Sequence, residues 1–327
     1  MNRSRLPAHV TPPAPGRVFS FRFPMPLLHA PLPRRAFLAR AAAAGLAAAL
    51  TRRSLAAAAT PADPHTWALL SDTHIAADRT RVARNINLAD HLGAVVREVL
   101  SRPRRPAGLL INGDLALNTG EDADYATLAE LLLPVRGAGI PITLALGNHD
   151  HRARCWSGLP AERRPDAAAG ERQATVVRGE RANWFVLDSL DRTNVTPGVL
   201  GEEQLAWLGR ALDAHADRPA LVMVHHNPNT GGNRNGLTDT DSLLAVLRPR
   251  RHVKAHFYGH SHRWQIDRDE SGLHLINLPA VAYPFDAQQP SGWVEAVLQP
   301  GAIRLELRAL APAHPGHGKV TELTYRT

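Results

Sequence analysis

Five short polar motifs in this chain each begin where an apolar run stops. They are Ser71-Asp72-Thr73-His74, Asn112-Gly113-Asp114, Gly147-Asn148-His149-Asp150, His225-His226-Asn227-Pro228 and Gly259-His260-Ser261-His262. The apolar runs read as strands: Trp67–Leu70, Leu109–Ile111, Ile142–Leu146, Trp184–Leu187, Leu221–Val224, Ala255–Tyr258, His274–Leu278, Val294–Leu298 and Ile303–Leu307. Helices are expected over Leu88–Leu100, Asp124–Val135, Glu202–Leu212 and Asp241–Leu247, where apolar residues recur at three and four. Gly201-Glu202-Glu203 marks a helix start, with carboxylates in the first turn. Early β–α alternation followed by consecutive strands predicts an α/β sandwich. Two polar segments, Arg152–Arg181 and Asn227–Asp239, directly follow key motifs and are expected to be loops around a site.

The formal net charge of +8 misleads. Residues 1–59 hold nine arginines (3, 5, 17, 22, 34, 35, 40, 52 and 53) and no Asp, Glu or Lys. Removing those nine from the 38 basic residues leaves 29 against 30 acidic ones, so the remainder is close to neutral. That remainder carries no electrostatic footprint for a polyanion, and no nucleic-acid partner is expected. Arg34-Arg35-Ala36-Phe37-Leu38, the apolar stretch Ala41–Leu50 and the small residues Leu55–Ala59 have the layout of an export signal. The paired arginines resemble the twin-arginine (Tat) signal read by the machinery that exports folded proteins. The expected division is therefore a leader over 1–59 and one domain over 60–327, exported to the periplasm or beyond the cell. Met25 would give a leader of more ordinary length. Cys155 is the sole cysteine, which excludes an intramolecular disulfide and a thiolate metal cluster.

The five motifs together supply carboxylate, amide and imidazole ligands, a donor set suited to Zn, Mn or Fe. A one-residue spacer in Asp72-Thr73-His74 and His260-Ser261-His262 lets two side chains converge from one strand end. Gly113, Gly147 and Gly259 are expected to let the backbone turn sharply beside the ligands. Singly, each motif is an ordinary polar turn. In this order and at strand ends they are a site.

The set resembles the signature of the calcineurin-like metallophosphoesterases, D-x-H, G-D, G-N-H-D/E, H and G-H-x-H, over residues 67 to 264. The resemblance implies a four-layer αββα sandwich with a dinuclear metal site at the C-terminal ends of the strands. It implies that Asp72, His74 and His262 hold one divalent ion, that Asn148, His225 and His260 hold the second, and that Asp114 bridges them. His149 would face the substrate as the catalytic acid. His226 competes with His225, because His226 matches the family's H-x-P register. Asp150 either orients His149 or stabilises its turn. One departure stands out: the family often has G-D-x-x-D, and Leu117 occupies the second Asp position here. The implied reaction is hydrolysis of a phosphate ester by a hydroxide bridging the two metals.

Three other readings fit these residues less well. A silent metal-binding module would be expected to lose His149 first. A nuclease lacks its basic surface here. A purple acid phosphatase brings a Tyr ligand near the Gly-Asp motif, and Tyr125 lies eleven residues past Asp114. On substrate class, Gly147–Arg152 resembles the cyclic-nucleotide and glycerophosphodiester phosphodiesterase branch, as do Leu187-Asp188-Ser189 and Gln204-Leu205 with Trp207-Leu208. A small phosphodiester is the expected substrate, and a phosphomonoester the alternative. Arg152 and Arg234 are the candidates for holding a monoester dianion.

Overall fold

The computed structural model describes residues 61–163, 172–229 and 234–327. The export signal expected within 1–59 lies outside them. In chain order the elements are β1 (Ala62–Leu70), β2 (Val82–Ala83), β3 (Ile86–Asn87), α1 (Leu88–Ser101), β4 (Arg105–Asn112), α2 (Asp122–Gly137), β5 (Ile142–Ala145) and α3 (Arg152–Gly158). A 3-10 turn over Pro160–Glu162 precedes β6 (Thr175–Arg178), β7 (Asn183–Val186), α4 (Glu202–Ala214), β8 (Ala220–Met223), α5 (Thr240–Leu247) and β9 (Val253–Tyr258). The last strands are β10 (Gln265–Arg268), β11 (His274–Asn277), β12 (Gly292–Gln299), β13 (Ala302–Ala309) and β14 (Val320–Thr324).

Two six-stranded sheets result, in the orders β14-β13-β12-β1-β4-β5 and β10-β11-β9-β8-β7-β6. β1, β4 and β5 run parallel in the first sheet. In the second, β7, β8, β9 and β11 run parallel. Successive strand residues point to opposite faces, and here both faces are covered. Trp67, Leu69, Leu110, Trp184, Val186, Leu221, Met223 and Phe257 meet between the sheets. Their neighbours Ala68, Leu70, Leu109 and Ile111 pack outward on Leu92, Val96, Leu128 and Leu132 of α1 and α2. On the far side Phe185, Leu187, Val222 and Val224 pack on Leu208 and Leu212 of α4 and on Leu243 and Leu247 of α5. The order is helix, sheet, sheet, helix, the expected αββα sandwich. Double burial is why these strands are apolar at every position instead of alternating.

The helices follow their local signals. The Asn87 side chain accepts from the Asp90 amide and starts α1, whose buried stripe is Leu88, Leu92, Val95, Val96 and Val99. Glu121 and Asp124 form a capping box at the start of α2. One expected loop is corrected. Arg152–Arg181 contains α3, the 3-10 turn and β6, which pairs antiparallel with β7 at the sheet edge. β6 is short and half-exposed, so it lacks the apolar run that marks an interior strand. The exposed edges β10 and β14 escape notice for the same reason. The described residues of Asn227–Asp239 form no helix or strand, and the bridges Pro228 to Leu237 and Gly198 to Leu237 tie them to the rest. No helix among the described residues is long and apolar enough to cross a membrane.

The inter-sheet layer is expected to carry most of the stability. Leu110 is 1% exposed, and Leu110→Ala should cost about 2–5 kcal/mol in chemical denaturation. Leu133 on α2 is 57% exposed, and Leu133→Ala should cost less than about 0.5 kcal/mol. Equal losses at the two positions would contradict this account of the core.

Candidate metal centre

The loops leaving β1 and β4 continue the parallel pairing of their strands. Asp72 N donates to Gly113 O at 3.1 Å, His74 N to Asp114 O at 2.9 Å and Ile75 N to Leu115 O at 2.8 Å. On the other side Ala282 N donates to Asp72 O at 3.0 Å. Asn112 at the end of β4 stitches the two sheets together. Its Nδ2 donates to Val224 O at 3.1 Å, and its carbonyl lies 2.6 Å from His225 Nδ1. Eight described non-glycine residues have positive φ, and five of them are Asp72, His74, Asp114, His260 and His262. A backbone that L-residues seldom adopt is thus concentrated on the residues whose side chains meet.

Those side chains converge as two neighbouring groups. Asp72, His74 and His262 offer ligand atoms within 4.8 Å of one another, as do Asp114, His225 and His260. His74 Nε2 and His262 Nε2 face each other at 3.1 Å, and His262 Nε2 lies 3.2 Å from Asp72 Oδ1. Asp114 Oδ2 sits between the groups, 3.7 Å from His74 Nε2 and 3.4 Å from His225 Nε2. Asp72 Oδ1, Asn148 Oδ1, His225 Nε2 and His260 Nδ1 are buried without a well-aligned hydrogen bond from the protein. Buried polar atoms are normally satisfied. Four of them aimed at one centre, with two carboxylates, fit a pair of divalent cations.

The electrostatics agree. Burial alone would raise the Asp72 carboxyl, but His262 and His225 outweigh it and hold the group below its ordinary range. Asp114 is likewise depressed against burial, chiefly by His225. Burial draws His74 down to about 4, and burial with the His225 charge draws His260 down to about 4. These are the ionised carboxylates and neutral imidazoles that metal ligation requires. His225 is pushed up to about 9, because Asp114 and Asp72 overcome the effect of burial. The two carboxylates draw positive charge to this spot.

The two competing histidines differ in what they touch, although each has a buried Nε2 with no aligned protein partner. His225 turns its Nε2 into the centre, whereas His226 Nδ1 pairs with Ser189 Oγ at 2.7 Å and its ring packs on His260 at 4.8 Å. His149 Nδ1 lies 2.8 Å from Asn118 O, and its ring sits 5.2 Å from that of His74. His74, Asp114 and His149 also lie within ligand distance of one another. Asp150 does not touch the His149 ring. It is fully buried and accepts from the amides of Gly147, Leu115 and Ala116 and from the Tyr125 hydroxyl, locking two motif loops together. Burial and the nearby Asp114 push Asp150 up to about 7. Tyr125 is occupied there, away from the ligands.

The backbone turns at each of the three glycines, with Asp150 N donating to Gly147 O at 3.2 Å and Ser261 N to Gly259 O at 2.7 Å, and each glycine also makes room for a neighbour. Gly113 has a φ of 75°, and a Cβ on it would lie 2.6 Å from the His225 ring. Gly147 and Gly259 have no positive φ. A Cβ at Gly147 would strike the Asp114 carboxylate, and one at Gly259 would lie 2.6 Å from Asp72 Oδ2.

A cleft of about 600 Å³ opens over the centre, lined by His74, Asp114, Asn148, His149, His260 and His262. Asn227 and Asn235 bring the expected Asn227–Asp239 segment to its rim, whereas the aromatic residues there carry no sequence signal. Thr196, Asn227 and Asn235 form one outer wall, and Arg263, Tyr283, Phe285 and Asp286 the other. Neither Arg152 nor Arg234 lines it. Arg152 is instead held bidentately by the buried Asp188, at 2.7 and 3.2 Å. The aromatic wall carries no ligand motif, so only its position after the last His motif could have signalled it.

Comparison with known proteins agrees with this geometry. The calcineurin-like phosphoesterase model matches residues 66–264. A probable cyclic nucleotide phosphodiesterase of Rhodopseudomonas palustris is 34% identical over 206 residues, 60% of this chain and 71% of that protein. The 3′,5′-cyclic adenosine monophosphate phosphodiesterase of Escherichia coli strain K12 is 28% identical over 244 residues, 73% of this chain and 84% of that protein. Among solved structures, a dimetal phosphatase from Danio rerio superposes with a TM-score of 0.65 at 18% identity, covering 80% of this chain and all of its own. That likeness establishes the fold alone. The matched span runs from β1 past the last His motif and takes in all five motifs; the chain belongs to the calcineurin-like phosphoesterase family.

Proposed function

We propose that this metallophosphoesterase hydrolyses a cyclic nucleotide, a small phosphodiester, at its dinuclear centre. The observation that carries the reading is the convergence of two ligand groups on a shared carboxylate beneath an open cleft. The phosphodiesterase names of the relatives support the substrate class. In this proposal Asp72, His74 and His262 hold one ion and Asn148, His225 and His260 the other, with Asp114 common to both. Two divalent ions, of Fe, Mn or Zn type by their donor set, supply an acidified water and neutralise charge on the phosphoryl oxygens. His149 stands at the cleft with Nδ1 on the Asn118 carbonyl, which sets the ring's orientation. Its Nε2 is the atom that would deliver a proton to the departing alkoxide. A diester carries one negative charge, and neither Arg152 nor Arg234, the arginines expected to hold a dianion, lines the cleft.

Asp114→Ala is expected to remove both metals and nearly all activity. His149→Ala should keep the metals while kcat falls by roughly 10²–10⁴. Metal analysis of purified protein decides this, since loss of metal from the His149 variant would make it a ligand. His225→Ala should lower occupancy strongly and His226→Ala should not. With 3′,5′-cyclic AMP against the matching monoester, kcat/KM should favour the diester. A monoester turned over tenfold better would move the protein to the phosphatase alternative.

We further propose that the leader over 1–59 carries the folded, metal-loaded domain through the twin-arginine route to the periplasm or beyond. Arg34-Arg35-Ala36-Phe37-Leu38 before an apolar run motivates the reading. Replacing both arginines by Lys should leave the protein in the cytoplasm on cell fractionation. Normal processing and export of that double variant would reject the route.

A further inference from the structure

Tyr283 and Phe285 form an aromatic ledge against the first ligand group. Tyr283 stacks on His74, with ring centroids 5.4 Å apart and planes 16° apart. Phe285 stacks on His262 at 4.1 Å and 15°. The two rings meet edge to face at 6.1 Å. Arg84, in the turn between β2 and β3, places its guanidinium 5.5 and 5.1 Å from their centroids. Both rings line the cleft, and Phe285 keeps ring surface open beside Arg84.

Phe285 is 55% exposed, one of four large apolar side chains in that state among the described residues. A phenyl ring neither ligates a metal nor moves a proton, so the hydrolytic chemistry alone gives it no task at the mouth of a polar site. Pockets for small molecules combine such apolar surface with a few placed polar groups. Those groups are present at the rim. Arg263 and Asp286 stand 3.9 Å apart there and offer donors and an acceptor. The opposite wall, Thr196, Asn227 and Asn235, is polar and suits a sugar.

We propose that the Tyr283–Phe285 ledge binds the nucleobase of the substrate, a planar aromatic group, while the phosphate lies over the two ligand groups. The inference rests on the cyclic-nucleotide reading given above. Stacking fixes the base on the His74 and His262 side of the cleft, and Arg263 with Asp286 meets its hydrogen-bonding edge. The competing role is mechanical: the rings buttress two ligand imidazoles and touch no substrate. The two roles separate by substrate. A buttress acts on every ester and on metal content, whereas a base ledge acts on esters that carry a base.

The test uses metal-loaded enzyme with 3′,5′-cyclic AMP and with ribose 3′,5′-cyclic phosphate, which lacks the base. Phe285→Ala should lower the ratio of their kcat/KM values by about tenfold, in the range of one lost base–aromatic stack. The loss should appear in KM for cyclic AMP, with full metal content, and Phe285→Tyr should restore it. Parallel loss on both substrates, or loss of metal, would establish the buttress and overturn the ledge. A ratio unmoved by Phe285→Ala overturns it as well. Wild-type enzyme that hydrolyses both esters without preferring cyclic AMP overturns the ledge and leaves the phosphodiesterase reading standing. Wild-type enzyme that hydrolyses neither ester fails the substrate reading itself, and the ledge falls with it.

Discussion

Two carboxylates, Asp72 and Asp114, are 0% and 2% exposed, and both are held ionised. Burying even one such charge is expensive unless it is paired. The protein supplies partial compensation. Asp72 Oδ2 accepts from Ser71 Oγ and from His260 N, and Asp114 Oδ1 accepts from His149 N. These donors leave Asp72 Oδ1 unsatisfied and leave the like charges to repel each other. A fold that keeps such a pair must bring positive charge to it. The rise of His225 to about 9 expresses that demand in a proton, and a divalent ion answers it with more charge in the same space.

Placing these groups has a backbone cost. Positive φ in a residue with a Cβ costs roughly 1–2 kcal/mol, and five candidate ligands adopt it. Strain of this kind persists only where the surroundings over-determine it. Here the extended parallel pairing does so, with 71–75 held between 113–115 on one side and 281–282 on the other. Thr73 and Asp150 add side-chain bonds to the 115–116 backbone. The stability spent at the strand ends is supplied by the apolar layers beneath them, which is why a site this strained sits on strands buried on both faces.

Much of this was legible because burial and ligation leave strong marks. A strand packed on both sides must be apolar throughout, so β1, β4, β8 and β9 announce themselves. The motifs stand out by their abrupt polarity immediately after such runs. What escaped had weaker marks. β6, β10 and β14 lie on or near sheet edges, where half-exposed strands tolerate polar residues. Positive φ at Asp and His is invisible in a sequence that signals it through glycine alone. The spatial role of Gly147 and Gly259 depends on a neighbour distant in sequence. Asp150 could be read as an orienter or a turn former until its four donors were located, because one residue type serves both purposes.

Charge also bears on which ester the cleft accepts. A phosphomonoester is close to a dianion at neutral pH, and a diester carries a single charge. Among the cationic side chains near the cleft, Arg263 alone lines it, at the rim. Arg152 is bound to the buried Asp188, Arg263 lies against Asp286, and Arg84 lies over two aromatic rings outside the lining. Divalent ions held by the ligand set would supply the main positive charge for a phosphoryl group, offset by Asp72 and Asp114. A monoester would bring its extra negative charge to those two carboxylates, with Arg263 at the rim lying beside Asp286. A diester brings less charge and a second organic arm, and the cleft provides an aromatic wall and a polar wall on which such an arm can rest.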